Sequence, residues 1–406
     1  MSIVDLVFCA LMMGSPEGEW TQWGGPNGNF KVSTPGLPNA WPEDGPPLLW
    51  QRPLGAGYSA ILAEAGKLYT MYRDGEADVV IALDADTGET LWTFRYDAPI
   101  REGQRDSFGQ GPNAPPHLLG NRLYTMSFNA TLHCLDKHTG DLIWKHNLVE
   151  ELDGKVHISG NSNAMVTHDG MLITMVGGEH HAMVGFDLAS GKVVWKSEPA
   201  EVSYGAPTLI SVGEERQWAF LSKREVIGIA VATGKIRWRH PQVNQHDTHA
   251  ARPIMGQDGL LFVPSQRDGG SLTLRLRLKG SEITVEEVMR TRNFNVLHGN
   301  VVRSGEIAYG SNGNILTALN VRTGKVLWRE RGFPVAQLIA VDDKFLILDE
   351  SGKLTLAFMT AKGFNRLAQH EFLKPRAWTV PTLAGTRLFM RDTEKVMAVD
   401  LAAEDP

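Results

Sequence analysis

Short stretches in which apolar and polar residues alternate recur along the chain, and several of them end in the same turn. Residues 82–92 read Ala-Leu-Asp-Ala-Asp-Thr-Gly-Glu-Thr-Leu-Trp, and residues 134–144 read Cys-Leu-Asp-Lys-His-Thr-Gly-Asp-Leu-Ile-Trp. Related stretches end at Trp195, Trp238 and Trp328. Alternation with a period of two predicts β-strands. A unit that recurs along the chain predicts a repeat architecture in which each copy forms one small sheet.

The shared turn has a local physical explanation. Glycine adopts a backbone conformation that a Cβ atom would penalise, and Asp, Asn, Thr or Ser can accept hydrogen bonds from the turn amides. We therefore assign Asp84, Asp136 and Asp187 structural roles. The Trp after the turn lies on one face of the outgoing strand, where a large ring suits packing between neighbouring sheets. The structural tryptophans of the repeat are Trp50, Trp92, Trp144, Trp195, Trp238 and Trp328.

The repeats can be counted along the chain. A second turn upstream, as at 66–69 and 121–124, gives each repeat about four short strands, the number in a propeller blade. Eight repeats fit if Met289 and Leu367 stand at the Trp position, and the last repeat then borrows its outer strand from 47–51. The sequence predicts an all-β, eight-bladed β-propeller, closed by pairing of its N- and C-terminal strands so that no sheet edge is left free. A seven-bladed ring or an open solenoid is the alternative.

The domain organisation follows from this count. Residues 19–406 are predicted to form one propeller, and residues 1–18 are interpreted as a degraded or partial export signal or a disordered N-terminus. That apolar stretch is shorter than the roughly 20 residues of a membrane span, no Lys or Arg precedes it, and Asp5 interrupts it. No other segment is a candidate membrane span. We expect a periplasmic or extracellular protein, or a cytoplasmic one if the N-terminus is no signal.

Composition narrows the function classes. A chain of 406 residues exceeds an ordinary single core, as a repeat architecture allows. The formal net charge of −6 gives no support to a nucleic-acid binder, which usually carries a basic stripe. The two cysteines, Cys9 and Cys134, predict no disulfide framework. Nucleophile elbows, phosphate loops and His-Glu-x-x-His motifs do not occur, and no catalytic set or metal site is predicted.

The repeat resembles that of a known family. Ala-x-Asp-x-x-Thr-Gly-x-x-x-Trp, together with the opening Trp-Thr-Gln-Trp-Gly-Gly-Pro-Asn-Gly at 20–28, is similar to the PQQ-like (quinoprotein dehydrogenase-like) β-propellers of bacteria over roughly residues 20–401. The resemblance implies either an enzyme that holds pyrroloquinoline quinone (PQQ) and Ca²⁺ in the central channel, or a non-catalytic scaffold such as the propeller lipoprotein of the outer-membrane assembly machinery. Many of the enzymes flank the quinone with a disulfide of adjacent cysteines, and this sequence has no adjacent pair.

A candidate site lies at one mouth of the channel, where the inner strands begin. Such a polar, amide-rich ring in a concave position suits a ligand, although it could also simply hold water. The long loop 96–111 would rim the same mouth and could form a contact surface through Arg101, Arg105, Asp106 and Phe108, and Asp247 would also face the channel. The candidate ligand-binding residues are Asn113, Asn161, Tyr204, His249, Arg252, His298, Asn300 and Trp378.

These observations favour a monomeric, non-catalytic scaffold or recognition propeller of the bacterial envelope, without a cofactor, that binds an envelope protein or a small ligand at the channel mouth. The first alternative is a PQQ- and Ca²⁺-dependent oxidoreductase. Its candidate contacts are Asn113, Asn161, Arg252, Asn300 and Trp378. The second alternative is a carbohydrate-binding propeller that uses Trp378 and Tyr204 as stacking platforms.

Overall fold

The protein is a ring of small antiparallel sheets. The structure is a computed structural model that describes residues 19–34, 36–100, 109–246 and 249–402. Within these ranges the strands assemble into eight sheets, each built on four antiparallel strands that run from the channel outward. The eight-bladed propeller predicted from the repeat is therefore confirmed. The predicted N-terminal segment 1–18, residues 101–108 of the loop 96–111, and Asp247 lie outside the described residues.

The first four blades follow each other along the chain without interruption. Alternating, β-branched and aromatic residues favour these strands. Blade 1 comprises Leu62–Glu64, Lys67–Asp74, Ala77–Asp84 and Thr90–Asp97; blade 2 His117–Leu119, Arg122–Met126, Thr131–Asp136 and Leu142–Asn147; blade 3 Val166–His168, Met171–Met175, Met183–Asp187 and Val193–Lys196; blade 4 Thr208–Val212, Glu215–Leu221, Glu225–Ala230 and Ile236–Pro241.

The second half continues in the same way and ends with a composite blade. Blade 5 comprises Ile254–Met255, Leu260–Val263, Ser271–Lys279 and Glu282–Thr291; blade 6 Val302–Ser304, Ile307–Asn312, Ile315–Asn320 and Val326–Arg331; blade 7 Ala336–Val341, Lys344–Asp349, Lys353–Thr360 and Gly363–Glu371; blade 8 Thr382–Ala384, Arg387–Arg391, Lys395–Asp400 and, from the N-terminal side, Leu48–Pro53. Helical structure in the described ranges is limited to Leu148–Leu152 and a 3-10 turn, Arg267–Gly269. Neither is long enough to span a membrane.

Blade 8 closes the ring by joining the two ends of the chain. Leu48–Pro53 pairs antiparallel with Lys395–Asp400, so that Trp50 lies opposite Ala398. The buried guanidinium of Arg391 then ties blade 8 to blade 1, since it donates to the carbonyl oxygens of Met71 at 2.6 Å and Gly55 at 3.0 Å. Burial lowers the pKa of Arg391 to about 10, and the group remains charged at neutral pH. The predicted closure is confirmed.

The Asp-x-x-Thr-Gly turn is stabilised by its own first side chain. Oδ1 of Asp84 accepts hydrogen bonds from the backbone N–H groups of Asp86 and Thr87, both at 2.9 Å. Asn320 plays the same part in blade 6, accepting from Arg322 at 3.0 Å and Thr323 at 2.9 Å. These hydrogen bonds are the structural role that the sequence predicted for the turn carboxylates.

Four of the described turns also receive the tryptophan of the preceding blade, and a fifth receives Met289. An added Cβ at Gly140 of blade 2 would lie 2.6 Å from Cε3 of Trp92 in blade 1, and φ of Gly140 is +80°. The same contact joins Trp50 to Gly88. Further pairs are Trp144 with Gly191, Trp195 with Gly234, and Met289 with Gly324. The glycine is thus required twice, for its backbone conformation and for the space that the neighbouring side chain occupies.

The outer strands carry a bulge that decides which residue takes this position. In blade 1 the register skips Leu91, so Trp92 lies opposite Ala82. In blade 5 Met289 lies opposite Thr273, at the equivalent position, as predicted. In blade 7 the pairing passes from Arg366 to Ala368. Leu367 is therefore the bulged residue, and its prediction as the Trp equivalent was wrong by one position. The bulge is the same as in blade 1, but the turn differs, because Gly363 already pairs with Thr360 whereas Gly88 precedes the first paired residue of its outer strand, Thr90.

The N-terminal segment 20–34 runs along the far ends of the inner strands, opposite the mouth. Trp20 forms a β-bridge with Ala63 of blade 1. Lys31–Val32 then pairs parallel with Ala336–Val341, the inner strand of blade 7. Thr34 reaches blade 8 through a hydrogen bond from Oγ1 to the carbonyl oxygen of Gly385 at 3.2 Å. This segment therefore crosses one end of the channel from blade 1 to blade 8.

The inter-blade role of the turn glycine predicts a specific stability loss. Gly140→Ala should lower the free energy of unfolding by roughly 2–4 kcal/mol, since it adds a clash with Trp92 to the cost of a positive φ. Gly120→Ala, in the same blade, is the matched control, because Gly120 also has a positive φ (+57°) but its added Cβ would meet no atom within 4 Å. Urea denaturation of both variants measures the difference. Equal losses would contradict the packing role.

The turn carboxylates predict an acid-dependent stability. Hydrogen bonds from the amide of Thr87, from the amide of His138, and from Ser190 lower the pKa values of Asp84, Asp136 and Asp187 respectively. A carboxylate with a lowered folded-state pKa stabilises the fold above its unfolded pKa of about 4, and this contribution is lost as the pH falls through the folded value.

The triple variant Asp84→Asn, Asp136→Asn, Asp187→Asn should therefore lose less melting temperature between pH 7 and about pH 3 than the parent does. The reciprocal variant, Asn320→Asp, adds a titrating group to an equivalent turn and should lose more. Thermal melts across this pH range test both. Parallel curves for all three proteins would show that the turns do not contribute to acid sensitivity.

Candidate functional site

The mouth of the channel is built from the residues that precede each inner strand. Several of their polar side chains bond to the backbone of the next blade. Oγ of Ser59 donates to the carbonyl oxygen of Ala114 at 2.9 Å, and Nδ2 of Asn113 donates to that of Ser159 at 3.0 Å. These hydrogen bonds link blade 1 to blade 2 and blade 2 to blade 3. Some of the polar side chains predicted at the mouth therefore hold neighbouring blades together.

The same arrangement continues between blades 6, 7 and 8. Nδ2 of Asn300 donates to the carbonyl oxygen of Leu338 at 2.8 Å, while its Oδ1 accepts from the N–H of Leu338 at 2.7 Å. Nε2 of Gln337 donates to the carbonyl oxygen of Trp378 at 2.8 Å. Asn300 and Gln337 are both buried. Their amides hold neighbouring inner strands in register.

Two further predicted site residues, His249 and Asn161, are buried in the wall of the ring. The buried imidazole of His249 has Nδ1 3.0 Å from Oγ of Ser265 and Nε2 3.2 Å from the carbonyl oxygen of Gln242. Asn161 is also buried, and its Oδ1 accepts from the N–H of Asn163 at 3.0 Å. Both side chains therefore bind groups of the protein itself.

An aromatic cluster occupies one sector of the mouth. The rings of Tyr58 and His298 both lie with centroids 5.1 Å from that of Trp378. The guanidinium of Arg376 is 5.9 Å from the Trp378 ring. His298 and Arg376 are exposed, and Tyr58 and Trp378 are half-buried. The structure thus brings two predicted site residues, His298 and Trp378, together with two neighbours. We call Tyr58, His298, Arg376 and Trp378 the aromatic cluster.

The aromatic cluster is held by Glu350, which follows the second strand of blade 7. Its carboxylate accepts from Nε1 of Trp378 at 2.8 Å, and its carbonyl oxygen accepts from the N–H of Arg376 at 2.8 Å. Arg376 has φ of +76°, a conformation that costs free energy for a non-glycine residue. Glu350 and Arg376 were absent from the candidate set because the repeat contains no position for them.

A second aromatic pair lies across the mouth. The ring centroid of Tyr204 lies 4.4 Å from that of His157, and the two rings are tilted by 36°. Nε2 of His157 is 3.1 Å from the carbonyl oxygen of Ser203. Burial lowers the pKa of His157 to about 4, so this imidazole is neutral at physiological pH. Tyr204 thus packs against a neutral imidazole and is not a member of the aromatic cluster that contains Trp378.

Arg252 lines one cavity with His298 and Asn300, but its hydrogen bonds are made elsewhere. Its Nε donates to Oγ1 of Thr208 at 2.7 Å, and its Nη1 donates to the carbonyl oxygen of Gly28 at 2.6 Å. Gly28 belongs to the N-terminal segment at the far end of the channel. The sequence placed Arg252 among the residues that precede an inner strand, and it could not show that the N-terminal segment contacts this side chain.

The donor set of the mouth can be tested against PQQ and Ca²⁺. Calcium takes six to eight oxygen ligands, usually with carboxylates among them. In the described ranges, no three His, Cys, Asp or Glu residues converge as a metal site. Glu350 is bonded to Trp378, and the amide oxygens of Asn161 and Asn300 accept backbone N–H groups. Of the predicted site amides, Asn113 alone offers a buried oxygen without a partner. These described residues do not fit the ion with its quinone.

The fold and the repeats define the class as a PQQ-like β-propeller. The chain belongs to the family described as outer membrane protein assembly factor BamB, whose profile matches residues 75–330.

Relatives of two kinds share this sequence pattern. BamB of Yersinia pestis is 22% identical over 366 residues, which cover 88% of this chain and 79% of the relative. BamB of Bordetella pertussis is 24% identical over 303 residues, 70% of this chain and 72% of the relative. The quinoprotein alcohol dehydrogenase PedH of Pseudomonas putida is 30% identical over 142 residues, 33% of this chain. That match spans only 22% of the dehydrogenase.

Solved structures agree with the fold. The quinohemoprotein alcohol dehydrogenase of Comamonas testosteroni superimposes with a TM-score of 0.64 at 12% identity, covering 96% of this chain and 81% of the other. The computationally designed protein Ika8 gives a TM-score of 0.58 at 12% identity, covering 86% and 98%. At these identities the likeness concerns the architecture alone.

The inter-blade role of Asn300 predicts a loss of stability on truncation. Asn300→Ala removes two hydrogen bonds to Leu338 and leaves its backbone groups buried and unpaired, which should cost roughly 2–4 kcal/mol. Asn365→Ala, at an exposed position on the outer strand of blade 7, is the control and should change stability little. The urea midpoints of both variants provide the comparison. A neutral Asn300→Ala would show that this amide is dispensable for the fold and available to a ligand.

Proposed function

We propose that this protein is a non-catalytic recognition propeller of the bacterial envelope, and that it binds a protein partner through the aromatic cluster at the channel mouth. The observation that carries the proposal is the division of roles at the mouth. The amides of Asn163, Asn300 and Gln337 are used between blades, whereas Arg376 and His298 remain exposed around Trp378.

The composition of the cluster favours a protein partner. Trp, Tyr and Arg are the residues that most often carry the binding energy of protein interfaces. Tyr58, Trp378 and Arg376 supply all three types within one patch. Glu350 fixes the indole of Trp378 and the backbone of Arg376, so the Trp378 side chain loses little freedom on binding.

The family supports the envelope as the setting. The matched relatives from Yersinia pestis and Bordetella pertussis are named as outer membrane protein assembly factors. We infer by this similarity that the partner is a protein of the envelope and that the propeller acts as a scaffold in an assembly. The net charge of −6 gives no support to nucleic acid as the partner.

A photocrosslinking experiment tests the proposal. We expect a benzoylphenylalanine residue in place of exposed His298 to give one discrete adduct with an envelope protein in living bacteria, whereas the same residue in place of Lys145, on the outer strand of blade 2, gives none. Adding Arg376→Ala to the His298 protein should reduce the adduct several-fold, since truncating a hot-spot residue costs about 2 kcal/mol. Equal adducts at positions 298 and 145 would contradict a mouth-side partner.

Titration with PQQ and Ca²⁺ tests the oxidoreductase alternative, which the similarity to PedH over 142 residues motivates. The proposal expects no saturable change in absorbance or heat at high micromolar ligand. Saturable one-to-one binding would overturn the non-catalytic assignment and make the mouth residues catalytic candidates. Binding to a glycan array tests the carbohydrate alternative. If a glycan binds, replacing Tyr204 or Trp378 with Ala should abolish the binding.

A further inference from the structure

A cavity of about 810 Å³ lies inside the channel, beneath the mouth. The N-terminal segment forms one wall through Trp23 and residues 27–31, and the inner strands of blades 5 and 6 form the other. The volume falls within the range of small-molecule sites, roughly 300–1,000 Å³. The N-terminal segment encloses the cavity because it crosses the channel at its far end.

Arg252 supplies a cation to this cavity. Its guanidinium uses two of its five N–H groups, on Thr208 and on the carbonyl oxygen of Gly28. Within the described ranges no carboxylate pairs with it. Burial lowers the pKa of Arg252 to about 10, so the group stays charged at neutral pH at a desolvation cost. The remaining N–H groups are on Nη1 and Nη2, and these two nitrogens can donate two parallel hydrogen bonds to one carboxylate or phosphate.

Lys31 supplies a second cation on the opposite wall. Its backbone pairs with blade 7, while its side chain lines the cavity and forms no ion pair with the described residues. Burial and the neighbouring charge of Arg303 lower the pKa of Lys31. Its ammonium group is therefore placed where a positive charge is unfavourable unless an anion joins it.

The acids that line the cavity are already neutralised. Asp258 accepts from Arg303 at 2.7 Å and pairs with Arg322 at 3.3 Å. Glu306 pairs with Arg322 at 2.9 Å. The cavity is lined by three cations, Lys31, Arg252 and Arg303, and by two acids. Both acids are paired with Arg303 or Arg322. The excess positive charge belongs to Lys31 and Arg252.

We propose that this cavity binds a small organic anion whose carboxylate or phosphate group is held between Arg252 and Lys31. The anion would compensate both desolvated cations and would fasten the N-terminal segment to blade 5. The cavity is much larger than the charged group alone, which leaves space for an organic body beside Trp23 and the inner strands. His298 of the aromatic cluster also lines this cavity, but both proposed anion contacts lie outside the cluster, and the site does not depend on a protein partner.

Arg252 also fastens the N-terminal segment through Gly28, so a variant there would change the fold as well as the site. Lys31→Gln is the cleaner change, since the lysine side chain forms none of the hydrogen bonds described for that segment. Lys145→Gln is the matched control, with the same loss of charge at an exposed position on blade 2. Both variants should melt close to the parent in the absence of ligand.

The test is a thermal-shift titration of the full chain with inorganic phosphate, 3-phosphoglycerate and succinate, at constant ionic strength and with glycerol as the neutral control. We expect saturable stabilisation by at least one anion. In Lys31→Gln the apparent Kd should weaken by about tenfold or more, as loss of a charge-assisted hydrogen bond requires, while Lys145→Gln should match the parent. A response to succinate identifies a carboxylate site, and a response to the phosphates identifies a phosphate site. The proposal is overturned if no anion stabilises the parent, or if Lys31→Gln responds as the parent does.

Discussion

The contact between the tryptophan of one blade and the turn glycine of the next is the interaction on which the ring depends. A four-stranded sheet has two faces, and neither can be buried within its own blade. Trp92 over Gly140 and Trp195 over Gly234 cover these faces at the same point of the repeat. The contact of Trp50 with Gly88 repeats this arrangement across the junction of the chain ends. Closure therefore uses the packing of the other tryptophan–glycine junctions, with Arg391 added as a buried clamp.

A second set of inter-blade links, the hydrogen bonds at the mouth, constrains what the site can do. A buried side-chain amide that bonds a neighbouring strand has fewer donors and acceptors left for a ligand. Asn300 uses both ends of its amide on Leu338. The exposed chemistry of the mouth consequently falls to side chains outside this set of amides, above all those of His298 and Arg376.

Much of the fold could be predicted from the sequence because the repeat motif has a local cause. Asp84 and Gly88 fix one turn through hydrogen bonds and φ, and the strands on either side follow from alternation. The blade count was correct even where Met289 replaces Trp. The register of blade 7 could not be predicted, since Gly363 pairs with Thr360 inside the hairpin and does not occupy the turn position of Gly88.

The site was less predictable for a related reason. Period-two alternation identifies the face on which a side chain lies, and it does not identify the neighbour that meets it there. Asn300 was expected at the channel mouth as a ligand-binding residue, and it lies there with its amide bound to blade 7. Arg252 was expected beside it, and one of its partners is Gly28, more than 200 residues away.

The residues with functional potential are those that the repeat does not explain. Arg376 holds a positive φ that no turn of the motif requires, and Lys31 belongs to a segment outside the blades. Each lies at a different end of the channel, Arg376 at the mouth and Lys31 at the far end. The repeat forms a rigid ring, and most of the amides at its mouth are hydrogen-bonded within the fold. Residues outside the repeat motif, Arg376 at the mouth and Lys31 at the far end, provide the groups for two separate binding events. Because Arg376 and Lys31 belong to opposite ends, mutation of either should leave the binding event at the other end intact, and this independence distinguishes a scaffold with two sites from an enzyme with one.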